Sequence, residues 1–193
     1  MRFKFLTNEL LNKLQCDVYD FRRAYGLNVG GIINPTDCEL HTSLIVEEVM
    51  ELAQADSEVD RIDAIVDSVY VLIGRYVHKC GLYTDINLNQ HGILYMVDVL
   101  LQVANNSNYD FHACWDEIHS SNMSKMCNDL DEVEATMDYY AERGISTTCE
   151  PVGNHYAIKC DIDQSGLTKR GKTLKSINYK PADLADMLYK SDL

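Results

Sequence analysis

The stretches LIVEEVMELAQA, residues 44–55, and DAIVDSVYVLIG, residues 63–74, decide the fold of this chain. Each has apolar residues at the spacing of an amphipathic helix and acids within or beside the apolar face. On a helical wheel Glu48 lies between Leu44 and Leu52, which places its carboxylate inside an apolar arc. The first stretch is apolar nearly all round, so we expect its helix to be central to a bundle.

The acids of these two helices are predicted to meet at one depth. Counted from a turn near Ser57, Glu51 and Asp63 are each six residues away, and Glu48 and Asp67 are nine and ten residues away. Charges left alone inside a bundle would destabilise it. Oxygen ligands on facing helices are typical of a site for a hard cation, magnesium or manganese. The alternative is a solvated acidic face with lysine partners one turn away.

The first 144 residues are predicted to form an all-α bundle. Thr36 and Glu39 have the spacing of a capping box at the start of the second helix. Glycines follow several of the predicted helices, as is usual at helix ends. The predicted helices cover residues 8–25, 36–55, 58–79, 89–104, 109–126 and 130–142.

The pattern changes after residue 144. Residues 155–162 alternate like a strand, and residues 172–179 are predicted to pair with them across Gly166 and Gly171. We therefore expect an all-α bundle over residues 1–144. An extension over the remaining residues, up to 193, would carry a short β-hairpin and pack on the same domain.

The composition indicates a globular protein that binds neither nucleic acid nor membranes. Hydrophobic residues make up 46% of the 193 residues, which is enough for a core, and the net charge of −13 would repel nucleic acid and anionic lipid. Seven cysteines without C-x-x-C spacing suggest neither a disulfide framework nor a zinc site. No secretory signal or membrane-spanning run is apparent, and we expect a cytoplasmic protein. A bound divalent cation would let such an acidic protein hold a phosphate-rich small molecule.

Three further motifs accompany the acidic helices. They are D-V-x-x-F at residues 17–21, H-x-S-N-M-S-K at residues 119–125 and G-K-x-x-K-S-x-x-Y-x-P-x-D-L at residues 171–184. With the E-x-x-E and E-x-x-D signature, the chain resembles the all-α nucleoside triphosphate pyrophosphohydrolases, which include MazG, dimeric dUTPases and phosphoribosyl-ATP pyrophosphohydrolase. It is most similar to the phosphoribosyl-ATP-pyrophosphohydrolase-like branch of bacteria and phages, whose proteins would act in the cytoplasm of the cell or of the phage host. One position departs from the pattern, because Ala64 stands where the family has a glutamate.

The resemblance implies a MazG-like helical bundle that hydrolyses a nucleoside triphosphate to the monophosphate and pyrophosphate. Magnesium, or manganese, would bridge the triphosphate and lower the pKa of a bound water that attacks phosphorus. Glu48, Glu51 and Asp67 would be metal ligands, with Asp63 as the fourth in place of the missing glutamate. Glu47 would bind a second ion or orient the attacking water.

The resemblance also implies two groups of substrate-binding residues. His119, Asn122 and Lys125 would lie within two turns of one helix. The other group, from the C-terminal motif, would close over the phosphates or the sugar. The alternatives are ordinary capped or solvent-facing side chains on the helix and a charged hairpin on the surface. Relatives form dimers or tetramers in which neighbouring subunits complete the bundle, so we expect a homodimer or homotetramer. The substrate-binding residues implied are His119, Asn122, Lys125, Lys172, Lys175 and Tyr179.

Two other functions remain open at this point. One is a nucleotide sensor that keeps the fold and has lost turnover, which the departure at Ala64 favours. The other is a helical interaction protein whose acidic stripe contacts a basic partner. In that case metal would leave the melting temperature unchanged.

Overall fold

A computed structural model describes residues 3–82, 91–163 and 168–189, and within these ranges the protein is mostly helical with one small antiparallel sheet. The start predicted for the fourth helix, Asn89, and the predicted turn at Gly166 lie outside the described residues. None of the described helices combines the length and apolar character needed to cross a membrane. The elements are α1 (Asn8–Ala24), α2 (Pro35–Gln54), α3 (Glu58–Cys80), α4 (His91–Asn106), α5 (Phe111–Met123), α6 (Leu130–Ala141), β1 (Thr147–Val152), β2 (His155–Cys160) and a short 3₁₀ helix (Ala185–Met187).

The central helix is α3, which packs against α1, α2, α4 and α5 and has thirteen buried residues. By contrast, the one buried residue of α2 is His41. On the side of α2 turned away from α3, Val46 is 50% exposed, Met50 is 54% exposed and Val49 is also exposed. The prediction that α2 is the central helix is therefore wrong, because packing on α3 covers only one of its two apolar faces.

The antiparallel arrangement of α2 and α3 depends on the caps beside their connecting turn. The side chain of Ser57 accepts a hydrogen bond from the backbone N–H of Asp60 and begins α3 close to the predicted turn. The other end of α2 differs from prediction. Asn34 caps it, with Pro35 as the first helical residue, and the predicted capping box at Thr36 is not used. Asparagine before proline is itself a strong start signal, since proline fixes a helical φ and needs no hydrogen-bond acceptor.

The hairpin is present, but β2 pairs with a segment other than the predicted one. β1 runs antiparallel to β2, and Gly153, at φ 59°, provides the left-handed conformation that the two-residue turn requires. Among the described residues, the predicted partner, residues 172–179, forms a single bridge to β2 at Thr173. β1 was missed because Pro151 interrupts its pattern, although an edge strand tolerates proline.

Residues 172–179 are held instead against α5 and α6. The backbone N–H of Ser176 donates to the carbonyl of Lys125 at 3.1 Å, just beyond α5. The hydroxyl of Tyr140, on α6, donates to the carbonyl of Lys175 at 3.0 Å. These bonds hold Lys175 and Ser176 between the end of α5 and α6.

Two apolar clusters join the extension to the helices. The larger cluster is formed by α1, α3, α4 and α5 and includes Leu184 and Leu188 from near the C-terminus. The smaller one joins α6 to the hairpin through Val133, Ile158 and Leu174. Because each fully buried aliphatic side chain contributes about 1.5–3 kcal/mol, both clusters tie the extension to the bundle.

Candidate functional site

A cavity of about 400 Å³ opens between the first three helices, the end of α5 and the hairpin. Its volume is in the range of small-molecule sites. The antiparallel packing of α2 on α3 brings Glu48 and Asp67 to its wall, and the end of α5 adds Asn122 and Lys125. Lys172 reaches it from the C-terminal segment. Residues of the two acidic helices, of the end of α5 and of the C-terminal segment thus share one cavity.

Two of the acids that line the cavity, Glu48 and Asp67, are held in an unfavourable environment for negative charge. Burial, followed by the charges of Asp67, Glu51 and Glu47, raises the pKa of Glu48 to about 8. Burial, followed by the charge of Asp63, raises the pKa of Asp67 to about 7. The predicted carboxylates are therefore close enough to repel one another, as a cation-binding cluster requires.

Within the described ranges, however, no three His, Cys, Asp or Glu side chains are arranged closely enough to hold a metal ion as they stand. Of the four predicted ligands, Glu48 and Asp67 line the cavity, whereas Glu51 is exposed on α2 and Asp63 is half-buried on α3. The donor chemistry nevertheless fits magnesium, since all four offer carboxylate oxygens and their mutual repulsion would be relieved by a cation.

Ala64 faces the core and is only 4% exposed. A side chain at position 64 would therefore not reach the cavity as a metal ligand. The neighbouring Asp63 is the half-buried acid at this level of α3. Burial raises the pKa of Asp63, while the charge of Lys175 opposes that rise. An aspartate that feels the charge of Lys175 therefore stands beside the core-facing Ala64.

Three lysines among the described residues also line the cavity, and two of them, Lys125 and Lys172, come from the predicted motifs. Lys125 lies beyond the end of α5 at Met123, so the prediction that it shares a helix with Asn122 is wrong. The helix ends at Met123, three residues before its predicted end. Burial lowers the pKa of Lys125, while the charges of Asp67 and Glu48 raise it. Lys125 therefore feels the charges of one acid from α3 and one from α2.

Glu47 and Lys172 form an ion pair, with Nζ of the lysine 2.7 Å and 2.9 Å from the two carboxylate oxygens. Lys172 lines the cavity and Glu47 is exposed at its edge. The structure thus places the predicted water-orienting acid against a predicted phosphate-binding lysine. A substrate phosphate would compete with Glu47 for that lysine.

The remaining predicted contacts, His119, Lys175 and Tyr179, lie outside the cavity lining. The Nδ1 atom of His119 lies 3.0 Å from the hydroxyl of Tyr70, which is part of the cavity wall. The ammonium group of Lys175 lies 4.4 Å from the centre of the Tyr179 ring. Ser121 in turn donates a hydrogen bond to the Tyr179 hydroxyl at 2.8 Å. None of these three side chains lines the cavity. His119 supports Tyr70 in its wall, and Tyr179 supports Lys175.

The first motif also supports the wall. Asp17 accepts a hydrogen bond from the indole N–H of Trp115 at 2.7 Å, and the Trp115 ring stacks on Tyr70. Phe21 meets Tyr70 edge to face and lines the cavity itself. The spacing of Asp17 and Phe21 on one face of α1 therefore holds the aromatic side of the site in place.

A second polar cluster lies at the far end of the same cavity and was not predicted. It consists of Arg22 from α1, Asp37 and His41 from α2, and His78 from α3. A signal for it was present, because His41 and Asp37 continue the Glu48 face of α2 at intervals of seven and eleven residues. His78 likewise follows Asp67 by eleven residues on α3, about three turns along the same face.

Three members of this second cluster, Arg22, His41 and His78, are buried, and Asp37 is half-buried. The Nε2 atom of His41 lies 2.9 Å from Nδ1 of His78, so one ring donates to the other. Burial and the charge of Arg22 lower the pKa of His41 to about 3, and the same two causes lower the pKa of His78. Burial lowers the pKa of Arg22 to about 10, against the opposing charge of Asp37. Both rings are thus uncharged near neutral pH.

Comparison of the chain with protein-family models, with curated proteins and with solved structures found no match.

Proposed function

We propose that this protein is a magnesium-dependent nucleoside triphosphate pyrophosphohydrolase with a MazG-like bundle, related to the phosphoribosyl-ATP-pyrophosphohydrolase-like branch. The observation that carries the proposal is the meeting of Glu48 and Asp67 with Lys125 and Lys172 in one cavity. Acids of raised pKa beside buried cations are a common feature of sites that handle phosphate groups through a metal ion.

Glu48, Asp67 and Glu51 are the acids that would hold magnesium, with Asp63 completing the set. Bound there, the ion supplies Lewis acidity towards the phosphate oxygens and towards the attacking water. The raised pKa values of Glu48 and Asp67 support this role, since a cation would favour their ionised forms. They also predict that magnesium binding releases protons at neutral pH.

The cations of the site would bind the phosphates. Lys125 and Lys172 donate to phosphate oxygens, and the amide of Asn122 lies beside them on the cavity wall. When the substrate takes Lys172, the carboxylate of Glu47 loses its partner and becomes available to accept a proton from the attacking water. The apolar part of the wall, from Phe21 and Tyr70, limits the access of other water molecules.

We also propose that the protein works as a homodimer or a higher homo-oligomer. Val46, Val49, Met50 and Ala53 occupy positions i, i+3, i+4 and i+7 on the exposed face of α2, and all four are exposed. An apolar stripe of this length is uncommon on a monomer and typical of a helix that packs against another subunit. Because the stripe lies on the helix that carries Glu48, a second subunit would support the site from behind.

A nucleotide sensor without turnover is the second candidate. The core-facing Ala64 and the lack of three converging ligands among the described side chains favour it. Both candidates bind nucleotide, and only the first releases pyrophosphate.

The test is a measurement of pyrophosphate release from a panel of ribo- and deoxynucleoside triphosphates with magnesium, with manganese and with EDTA. We expect magnesium-dependent release by the unmodified protein and none by Glu48→Gln. Glu39→Gln, at an exposed position on the same helix, is the matched control and should remain active. Nucleotide binding without release of pyrophosphate would favour the sensor. If the protein binds no nucleotide and metal does not change its melting temperature, the result would favour the helical interaction protein.

A further inference from the structure

The far end of the cavity brings a fixed arginine and an aspartate together in its wall. Arg22 is only 8% exposed, and its Nε donates to the carbonyl of Asn28 at 2.7 Å, which fixes the guanidinium plane. The Nη1 atom lies 3.9 Å from the position that a Cβ on Gly74 would occupy. The absence of a side chain at Gly74 therefore leaves space in front of the guanidinium, inside the cavity.

Asp37 provides the complementary group. Its Oδ2 atom is buried and has no hydrogen-bond partner among the described residues. The Nε2 atom of His78 lies 3.7 Å from it, which is too long for a hydrogen bond. A buried carboxylate oxygen without a donor is costly, so a ligand that brings a donor to this point would be favoured.

The combination of Asp37 with Arg22 selects against a purely anionic ligand. A phosphate or carboxylate group placed against Arg22 would also face the free oxygen of Asp37, and the two negative groups would repel each other. The buried pair of His41 and His78 adds no positive charge at neutral pH to offset that repulsion. The ligand for this end therefore presents hydrogen-bond donors and acceptors side by side.

The distance to the acids matches the length of a nucleotide. Asp37 precedes Glu48 by eleven residues on α2, and His78 follows Asp67 by eleven residues on α3. At the rise of an α-helix this separation is about 16 Å, comparable with an extended nucleoside triphosphate. Between the two ends the wall is mostly apolar, with Leu44 among its residues. Phosphates at the acidic end would thus place the base at the end with Asp37.

We propose that Arg22 and Asp37 recognise the guanine base of the nucleotide, an assignment that rests on the proposed nucleotide function. Guanine offers Asp37 two adjacent donors, N1–H and the N2 amino group, and offers Arg22 the acceptors O6 and N7. Adenine lacks the paired donors, and the pyrimidines offer one donor group to the carboxylate. Guanine therefore satisfies both side chains most completely.

The first experiment compares kcat/KM for GTP, ATP, CTP and UTP, with magnesium, in the unmodified protein and in Asp37→Asn. The substitution keeps the shape of the side chain and removes the double acceptor. We expect kcat/KM for GTP to fall about 10-fold to 100-fold, with much smaller changes for the other three nucleotides. Glu39→Gln, exposed two residues further along α2, is the matched control and should change none of them. Equal losses for all four nucleotides, or no loss for GTP, would overturn the assignment.

The second experiment separates base recognition from hydrolysis. Binding of GMP and AMP is measured by calorimetry in EDTA, where the metal-dependent step is absent. We expect GMP to bind more tightly than AMP to the unmodified protein, and this preference to disappear in Asp37→Asn. A preference for GMP without pyrophosphate release from any triphosphate would retain the base site and refute the proposed function. Hydrolysis of all four triphosphates with equal affinity for GMP and AMP would refute the base site alone.

Discussion

Replacing Glu48 by glutamine is expected to stabilise the metal-free protein while abolishing hydrolysis. Burial, followed by the charges of Asp67 and Glu51, raises the pKa of Glu48 from its usual value of 4.5 to about 8. At about pH 7 this carboxyl must take up a proton on folding, and 2.5 pH units correspond to about 3 kcal/mol. Since Glu48 is only half-buried, solvent screening reduces this figure to about 1–2 kcal/mol. Glutamine has the same shape and needs no proton.

The direction of the pH dependence follows from the same shift. The folded-state pKa of Glu48 lies above the unfolded value, so protonation contributes stability that is fully present below about pH 4.5. That contribution is lost as the pH rises through about 8. The difference in stability between Glu48→Gln and the unmodified protein should therefore be small in acid and largest at alkaline pH.

The assay is thermal unfolding followed by circular dichroism, in EDTA and in magnesium, over the range from about pH 5 to about pH 9. In EDTA near neutral pH we expect the variant to melt about 3–6 °C higher than the unmodified protein. Magnesium should raise the melting temperature of the unmodified protein, most strongly at alkaline pH, and should have little effect on the variant. A variant that is no more stable than the unmodified protein at alkaline pH, or an equal effect of magnesium on both, would refute this account of Glu48.

Three further predictions concern other parts of the site. Gly74→Ala should stabilise the protein by up to about 1 kcal/mol, because α3 gains helix propensity and the nearest atom to the new methyl group is 3.9 Å away. The same substitution should raise KM by narrowing the cavity, and denaturant titration with steady-state kinetics would detect both effects; an unchanged KM would argue against substrate in this cavity. Lys125→Met should lower kcat/KM for the triphosphate about 10-fold to 100-fold through loss of a charged hydrogen bond, and unaltered kinetics would exclude a phosphate contact. Met50→Lys should shift the protein towards the monomer in sedimentation velocity, whereas an unmodified protein that is itself monomeric would contradict the proposed oligomer.

The helices were predictable from sequence because their information is local. The apolar spacing of α3, the cap at Ser57 and the glycine stop at Gly81 all act within a few residues of the helix that they define. The strand β1 and the position of residues 172–179 were not predictable in this way. They depend on contacts with α5 and α6, and the single bridge at Thr173 has no local signature.

Part of the candidate site was predictable for a related reason. Glu48 and Asp67 lie in apolar helix faces, and the register of an antiparallel pair follows from the position of the turn. The cluster around Arg22 and Asp37 required the third dimension, since it joins α1 to two helices that are adjacent only after folding. The ion pair of Glu47 with Lys172 spans 125 residues, and no sequence pattern indicates it.

Because residues 172–179 are attached across α5, α6 and β2, the cavity is complete only after this segment has been synthesised. The acids of α2 and α3 leave the ribosome early, whereas Lys172 follows them by more than a hundred residues. A chain interrupted before that point would contain the carboxylates and lack one of the cavity's cations. Such a fragment would keep Lys125 but lose the ion pair between Glu47 and Lys172, which would leave the Glu47 carboxylate without that cation.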